Sequence, residues 1–362
     1  MQDATPSATT DTLDNPPLAD LYADFEAASL MPLWTQREDL MPPVPRPQAV
    51  PQHWQWDQLR ALAARAGELV PVGSGGERRA IALANRGLPG LPYATPTLWA
   101  AIQFLGGQEA ATSHHHSQGA FRFVLEGEGV WTNVNGDPVA MRRGDLLITP
   151  SWAYHEHHNT TDEPMAWLDG LDIPLVAALD AGFFEPGPAQ LSTEETPARS
   201  RSERLWGFPG LCPPVSPAPG NSPLMAYRWA QTDEALAEQL ALEAEGYPVT
   251  ADHGHAMVRF SNPANGRDAL ASMRTQMHRL RAGAAVPGQR VAGSAVWQVF
   301  AGEGLARIGG TVYTLARGDI FVVPSWTELE ITARTELDLF RFSDEPVYEA
   351  VGLDRSEPRT GR

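Results

Sequence analysis

FRFVLEGEGVWTNVNGDPVAMRRGDLLITPSW, residues 121–152, is the stretch from which the fold can be read. Its apolar side chains fall into short runs, 121–125, 130–134 and 146–149, separated by glycine turns. Asn135-Gly136 between two such runs is the strongest short-range hairpin signal, because both residues accept the positive φ of a tight turn. A second stretch, VWQVFAGEGLARIGGTVYTLARGDIFVVPSW (residues 296–326), repeats the landmarks in order. Gly127-Glu128-Gly129 returns as Gly302-Glu303-Gly304, Arg143-Gly144-Asp145 as Arg317-Gly318-Asp319, and Pro150-Ser151-Trp152 as Pro324-Ser325-Trp326. The repeat is far longer than solenoid periods of roughly 20 to 50 residues, so it marks two copies of one domain. The expected class is all-β: two β-barrel or jelly-roll domains preceded by a helical and extended segment.

At 362 residues the chain is long enough for two cores, since single cores stop growing at about 250 to 300 residues. Around the repeat we expect an N-terminal arm and helical segment over 1–80, a first barrel over 81–190, a linker with a helix over 191–250 and a second barrel over 251–362. Within these, residues 1–20 carry few large apolar side chains and are expected to be a loose arm. Helices are predicted over 21–30, over 56–66 with Leu59, Leu62 and Ala63 on one side, and over 232–245. The formal net charge of −17 opposes a phosphate backbone, so no nucleic acid is expected as partner. A single cysteine, Cys212, excludes an intrachain disulfide and any zinc site built on several thiolates. No signal-peptide pattern or membrane-length apolar run is visible, so the expectation is a cytoplasmic protein without membrane contact.

The chemistry concentrates in the first copy. Of ten histidines, six lie between residues 114 and 158: His114, His115, His116, His155, His157 and His158. Alternate side chains share a face of a strand, so His114 and His116 can point inward together while His115 points away. A third imidazole, from His155 or His157 on a later strand, would complete one face of a transition metal and leave positions open for substrate. Imidazole suits zinc, copper, iron and nickel, so the ligand set does not name the metal. In the second copy Gln289, Val291 and Leu329 stand at the positions of His114, His116 and His155, which points to one metal per chain, in the first barrel. His253 and His255, flanked by loop residues, make no comparable set.

The runs HHHSQGAFRFVLEGEG (114–129) and RRGDLLITPSWAYHEHHN (142–159) resemble the two cupin motifs of the gentisate 1,2-dioxygenase family, whose relatives include salicylate and 1-hydroxy-2-naphthoate dioxygenases. The similarity also takes in MPLW (31–34), GGERRAIAL (75–83), TPTLWAAIQ (95–103), DGLDIP (169–174) and the second barrel, covering residues 25 to 345 or so. The resemblance implies a bicupin fold, Fe(II) on His114, His116 and His155, and a homotetramer. It implies dioxygen-dependent cleavage of gentisate between the carboxyl-bearing and adjacent hydroxyl-bearing carbons, giving maleylpyruvate, with salicylate and 1-hydroxy-2-naphthoate as alternatives. It also implies a substrate pocket lined by Arg78, Trp99, Ala101, Gln103, Arg122, His157 and Asp169.

The residues themselves bear on several of these roles. Arg122 keeps even spacing from His116, which puts it on the same face of a continuous strand, and its planar fork suits the carboxylate of an anionic substrate. His157 shares a face with His155 and can take a hydroxyl proton, although spacing equally allows His157 as ligand and His155 as helper. Trp99 and Gln103 have matching parity and could flank a ring. Asp169 could orient His157 or an arginine. Between Arg78 and Arg79 no strand phase is visible, and Arg78 is chosen on resemblance alone. Two other readings, a zinc or manganese cupin isomerase or hydrolase and a non-enzymatic ligand-binding cupin, differ from the first in consuming no dioxygen.

Overall fold

The structure is a computed structural model that describes residues 15–70, 79–191, 197–216, 219–250 and 252–358. The chain divides into two compact units, residues 1–46 and 47–362. In the first, helices Pro16–Ala27 and Leu33–Leu40 are tied by the Trp34 indole N–H donating to the Tyr22 hydroxyl at 3.1 Å and by an edge contact between Phe25 and Trp34. Of the loose arm expected over 1–20, residues 1–14 lie outside the described residues. From Pro16 onward the expectation is corrected: proline preset for a first helical turn starts the helix there.

Among the described residues the second unit holds four sheets, arranged in two barrels. The first barrel pairs a six-stranded sheet, ordered Ala226–Tyr227, Leu146–Thr149, Ala120–Glu126, Met165–Leu171, Trp99–Leu105 and Ala80–Ala82, with a five-stranded one, ordered Phe184–Pro186, Ala110–His116, His155–Asn159, Glu128–Val134 and Asp137–Arg142. The second barrel repeats this plan. The six-stranded sheets pack back to back, with Phe123 stacked on Phe340 at 4.0 Å and Phe121 edge-on to Phe342 at 4.8 Å. Strand Ala120–Glu126 is therefore buried on both faces: Phe121 and Phe123 enter the seam between barrels, and Val124 the core of the first.

The barrels exchange edge strands. Gln52–Trp54 precedes the first barrel in sequence but pairs with Ile320–Val323 of the second, while Ala226–Tyr227 precedes the second and pairs with Leu146–Thr149 of the first. Each strand leads into a helix, Trp56–Leu69 or Trp229–Ala244, whose N-cap residue offers no side-chain hydrogen bond of its own. The repeated Arg-Gly-Asp supplies the missing cap. Asp319 accepts the Trp56 amide at 2.9 Å and lies 2.9 Å from His53 Nε2; Asp145 accepts the Trp229 amide at 2.9 Å and the Arg228 guanidinium at 2.5 Å. That capping starts the second helix three residues ahead of the expected 232. In the first helix the buried stripe is Trp56, Leu59 and Ala63; Leu62, expected on that side, is 47% exposed.

Candidate metal centre and substrate pocket

His114 and His116 alternate along Ala110–His116, and His155 sits directly opposite His114 on the neighbouring strand. One ligand atom from each of these three buried histidines lies within 4.8 Å of the others. Backbone carbonyls fix each ring: Thr112 O lies 3.0 Å from His114 Nδ1, Gln118 O 2.9 Å from His116 Nδ1, and Ala153 O 3.0 Å from His155 Nδ1. A carbonyl can only accept, so each Nδ1 carries the proton and each Nε2 presents its lone pair. Burial first, and then the nearby Arg122 and the other histidines, hold His155 well below the usual histidine range, so it is neutral at pH 7. Three buried imidazoles whose Nδ1 atoms are each held by a carbonyl, with Nε2 left to bind, fit a divalent transition metal.

His115 points outward, 2.9 Å from Glu185 and stacked on Tyr154. His158 also faces away, stacked on Trp131. His157 points into the barrel on the same strand as His155, with ring centres 6.0 Å apart, and is not one of the three that converge. It is buried, and its Nδ1 has no hydrogen-bond partner among the described residues.

Facing the histidines is the inner face of the six-stranded sheet. Asp169 lies opposite both Ala101 and Arg122, and Trp167 opposite Gln103, and paired residues share a face, so these side chains form adjoining rows with Trp99 at the end of its strand. Arg122 is 4% exposed; it donates to Thr149 Oγ1, and its Nε stands 3.7 Å from Asp169, without a hydrogen-bond partner among the described residues. Burial lowers Arg122 and is partly offset by Asp169, while burial pushes the Asp169 carboxyl up to about 6 against the pull of Arg122 and the Trp167 N–H. Gln103 and Ala101 are buried and Trp99 is partly exposed.

Residues 102–171, which hold the three histidines and most of the facing sheet, match the cupin domain family. The chain is 68% identical to a gentisate 1,2-dioxygenase of Streptomyces sp over 94% of its own length and 95% of the relative's. The chain belongs to the gentisate 1,2-dioxygenase family. It is a ring-cleaving dioxygenase. A gentisate 1,2 dioxygenase of Aquipseudomonas alcaligenes is 33% identical across 93% of this chain and 95% of that one. The crystal structure of a salicylate 1,2-dioxygenase from Pseudoaminobacter salicylatoxidans, with gentisate adducts, superposes with a TM-score of 0.92 at 52% identity, covering 100% of this chain and 96% of that one.

For this member of the gentisate 1,2-dioxygenase family, Arg78 lies outside the described residues. Arg79 is committed elsewhere: it is buried, donates to the Val70 carbonyl at 2.9 Å and pairs with Glu109. Sequence reasoning missed three pocket residues. Thr149 fixes Arg122, Trp167 holds Asp169 at 3.0 Å and lies 5.5 Å from the His157 ring, and Phe184 lies 5.2 Å from the His114 ring. Trp167 shares the parity of Asp169 and was open to detection. Phe184–Pro186 is a three-residue strand, too short for alternation to register. In the second barrel Gln289 lies directly opposite Leu329, as His114 lies opposite His155, so the alignment of the two copies holds in the register.

Proposed function

We propose that this chain holds Fe(II) on His114, His116 and His155 and opens the ring of gentisate between its carboxyl-bearing and adjacent hydroxyl-bearing carbons, consuming dioxygen and giving maleylpyruvate. The observation that carries the reading is a face of three converging, buried imidazoles, each ring fixed by a backbone carbonyl, close to a buried arginine in the first barrel. When bound, the metal supplies a centre that gathers the substrate's carboxylate and ortho hydroxyl and activates dioxygen.

The protein's own residues divide the remaining work. In a chain of net charge −17, an aromatic acid needs a local cation, and Arg122 provides it in a site from which water is largely excluded. Thr149 and Asp169 hold its fork in place. His157 receives the hydroxyl proton at Nδ1, the buried atom without a hydrogen-bond partner among the described residues. Trp99, Ala101 and Gln103 flank the ring, and the family resemblance assigns Arg78 the role of a second cation for the substrate. A second reading, salicylate or 1-hydroxy-2-naphthoate as substrate, is supported by the 52% identity to a salicylate 1,2-dioxygenase. Homotetramer assembly in the cytoplasm is proposed from the family resemblance, and sedimentation of the purified protein tests the assembly.

The deciding experiment is anaerobic loading with Fe(II), addition of gentisate and then air, following oxygen uptake and the absorbance of the ring-opened product. Expected is one dioxygen consumed per gentisate, with turnover lost in His155→Ala. Turnover of salicylate but not gentisate moves the assignment to the second reading. Product formation without oxygen uptake, or with zinc alone, overturns the dioxygenase mechanism for this chain.

A further inference from the structure

The second barrel has lost the histidine face but is not filled. It holds a partly open cavity of about 320 Å³, within the size range of small-molecule sites. Two polar atoms of residues lining it are buried with no hydrogen-bond partner among the described residues: His278 Nε2 and Trp297 Nε1. Their side chains are 5% and 4% exposed, so bulk water does not compensate them, and such atoms are costly unless something polar meets them.

His255 Nε2 and His278 Nδ1 are 2.9 Å apart in stacked rings, and the Asp252 carboxylate lies 3.6 Å from His255 Nδ1. The carboxylate draws the His255 proton to Nδ1, so His255 Nε2 accepts from His278 Nδ1–H and His278 Nε2 is left with a lone pair. Burial lowers His255 and holds His278 well below the usual range, which keeps both rings neutral. The Trp297 indole, whose ring centre is 4.8 Å from that of His278, can only donate. One hydroxyl satisfies both, donating to the lone pair and accepting from the indole.

The charge of the walls selects further. Arg341 is engaged by Gln276 and Glu345, and the ionisable lining residues Asp252 and Glu345 outnumber this one cation. A carboxylate is repelled, in contrast to the first barrel, where Arg122 lies close to the histidines. The remaining lining includes Val286 and Leu329, apolar surface for a ring. We propose that the second barrel is a binding site for a small neutral hydroxyl-bearing aromatic, a phenol, held by His278 and Trp297. This site does not depend on the substrate assignment of the first barrel.

Calorimetric titration of the full chain with phenol tests it, run beside benzoate and beside the variants Trp297→Phe, His278→Phe and Val291→Trp, the last placing bulk on a partly exposed lining residue. Expected is saturable phenol binding that weakens about tenfold or more in Trp297→Phe and His278→Phe, as loss of a buried hydrogen bond implies. Expected too are loss in Val291→Trp, at least roughly tenfold weaker benzoate binding, and no change in His155→Ala. Absence of phenol binding to the parent chain overturns the proposal, as does binding that survives Val291→Trp or disappears in His155→Ala. Should His278→Phe fail to fold, Val291→Trp and Trp297→Phe decide.

Discussion

Arg122 shows how one side chain acquires a function from its neighbours. Phe121 and Phe123 on either side of it are drawn into the seam between barrels, which turns the guanidinium inward, where Thr149 and Asp169 hold it. Arg122→Gln is expected to keep the fold and lower kcat/KM for the aromatic acid by about 100-fold, mostly through KM, because a desolvated charge-assisted contact is lost. Steady-state kinetics with the Fe(II)-loaded enzyme measures it. Trp167→Phe removes the N–H that lowers the Asp169 carboxyl. Asp169 then titrates above its present value of about 6, and the acidic limb of the kcat/KM profile moves to higher pH. An unmoved limb would separate Asp169 from the reaction.

Among the elements, the two exchanged strands and their helices depend on the turn that precedes each capping aspartate. Gly144 and Gly318 have φ of +86° and +94°, and a Cβ added there would lie 2.7 Å from the Trp229 ring and 2.2 Å from the Trp56 ring. Alanine at either position meets both a disfavoured backbone and an aromatic wall, with Gly318→Ala the worse; destabilisation on the order of 3 kcal/mol is expected by denaturant titration. Asp145→Ala should cost about 2 kcal/mol by uncapping Trp229–Ala244 and leaving Arg228 with Glu203 as its one carboxylate partner among the described residues, beside the Ala140 carbonyl. The repeated motif that marks duplication in the sequence is therefore the joint through which each barrel grips the segment leading into the other.

At the scale of the second unit, Asp344 near the end of the second barrel accepts from Thr97, just ahead of a first-barrel strand, and from the Ser294 amide at 2.7 Å. Burial raises its carboxyl from 3.8 to about 6, so between these values the folded state binds the proton that the unfolded state has released. Stability from this group is thus present below pH 3.8 and falls as pH rises to about 6. Relative to Asp344→Asn, the parent chain should lose on the order of 3 kcal/mol across that window, read by denaturant titration at stepped pH. Alternation and turn chemistry alone determined that there are two β domains, that His114 and His116 share a face, and that the second copy lacks the ligands, because these depend on strand period and on the presence of residues. The continuous strand expected from His116 to Arg122 is corrected: it breaks at residues 117–119, and Arg122 meets the histidines from the six-stranded sheet opposite them. Tertiary structure alone decided that His155 and not His157 completes the converging trio, since both have the same parity and only the cross-strand register sets one opposite His114. It also decided that the edge strands are exchanged and that Thr149, Trp167 and Phe184 enter the pocket, because pairing between strands distant in sequence leaves no periodic trace in either one.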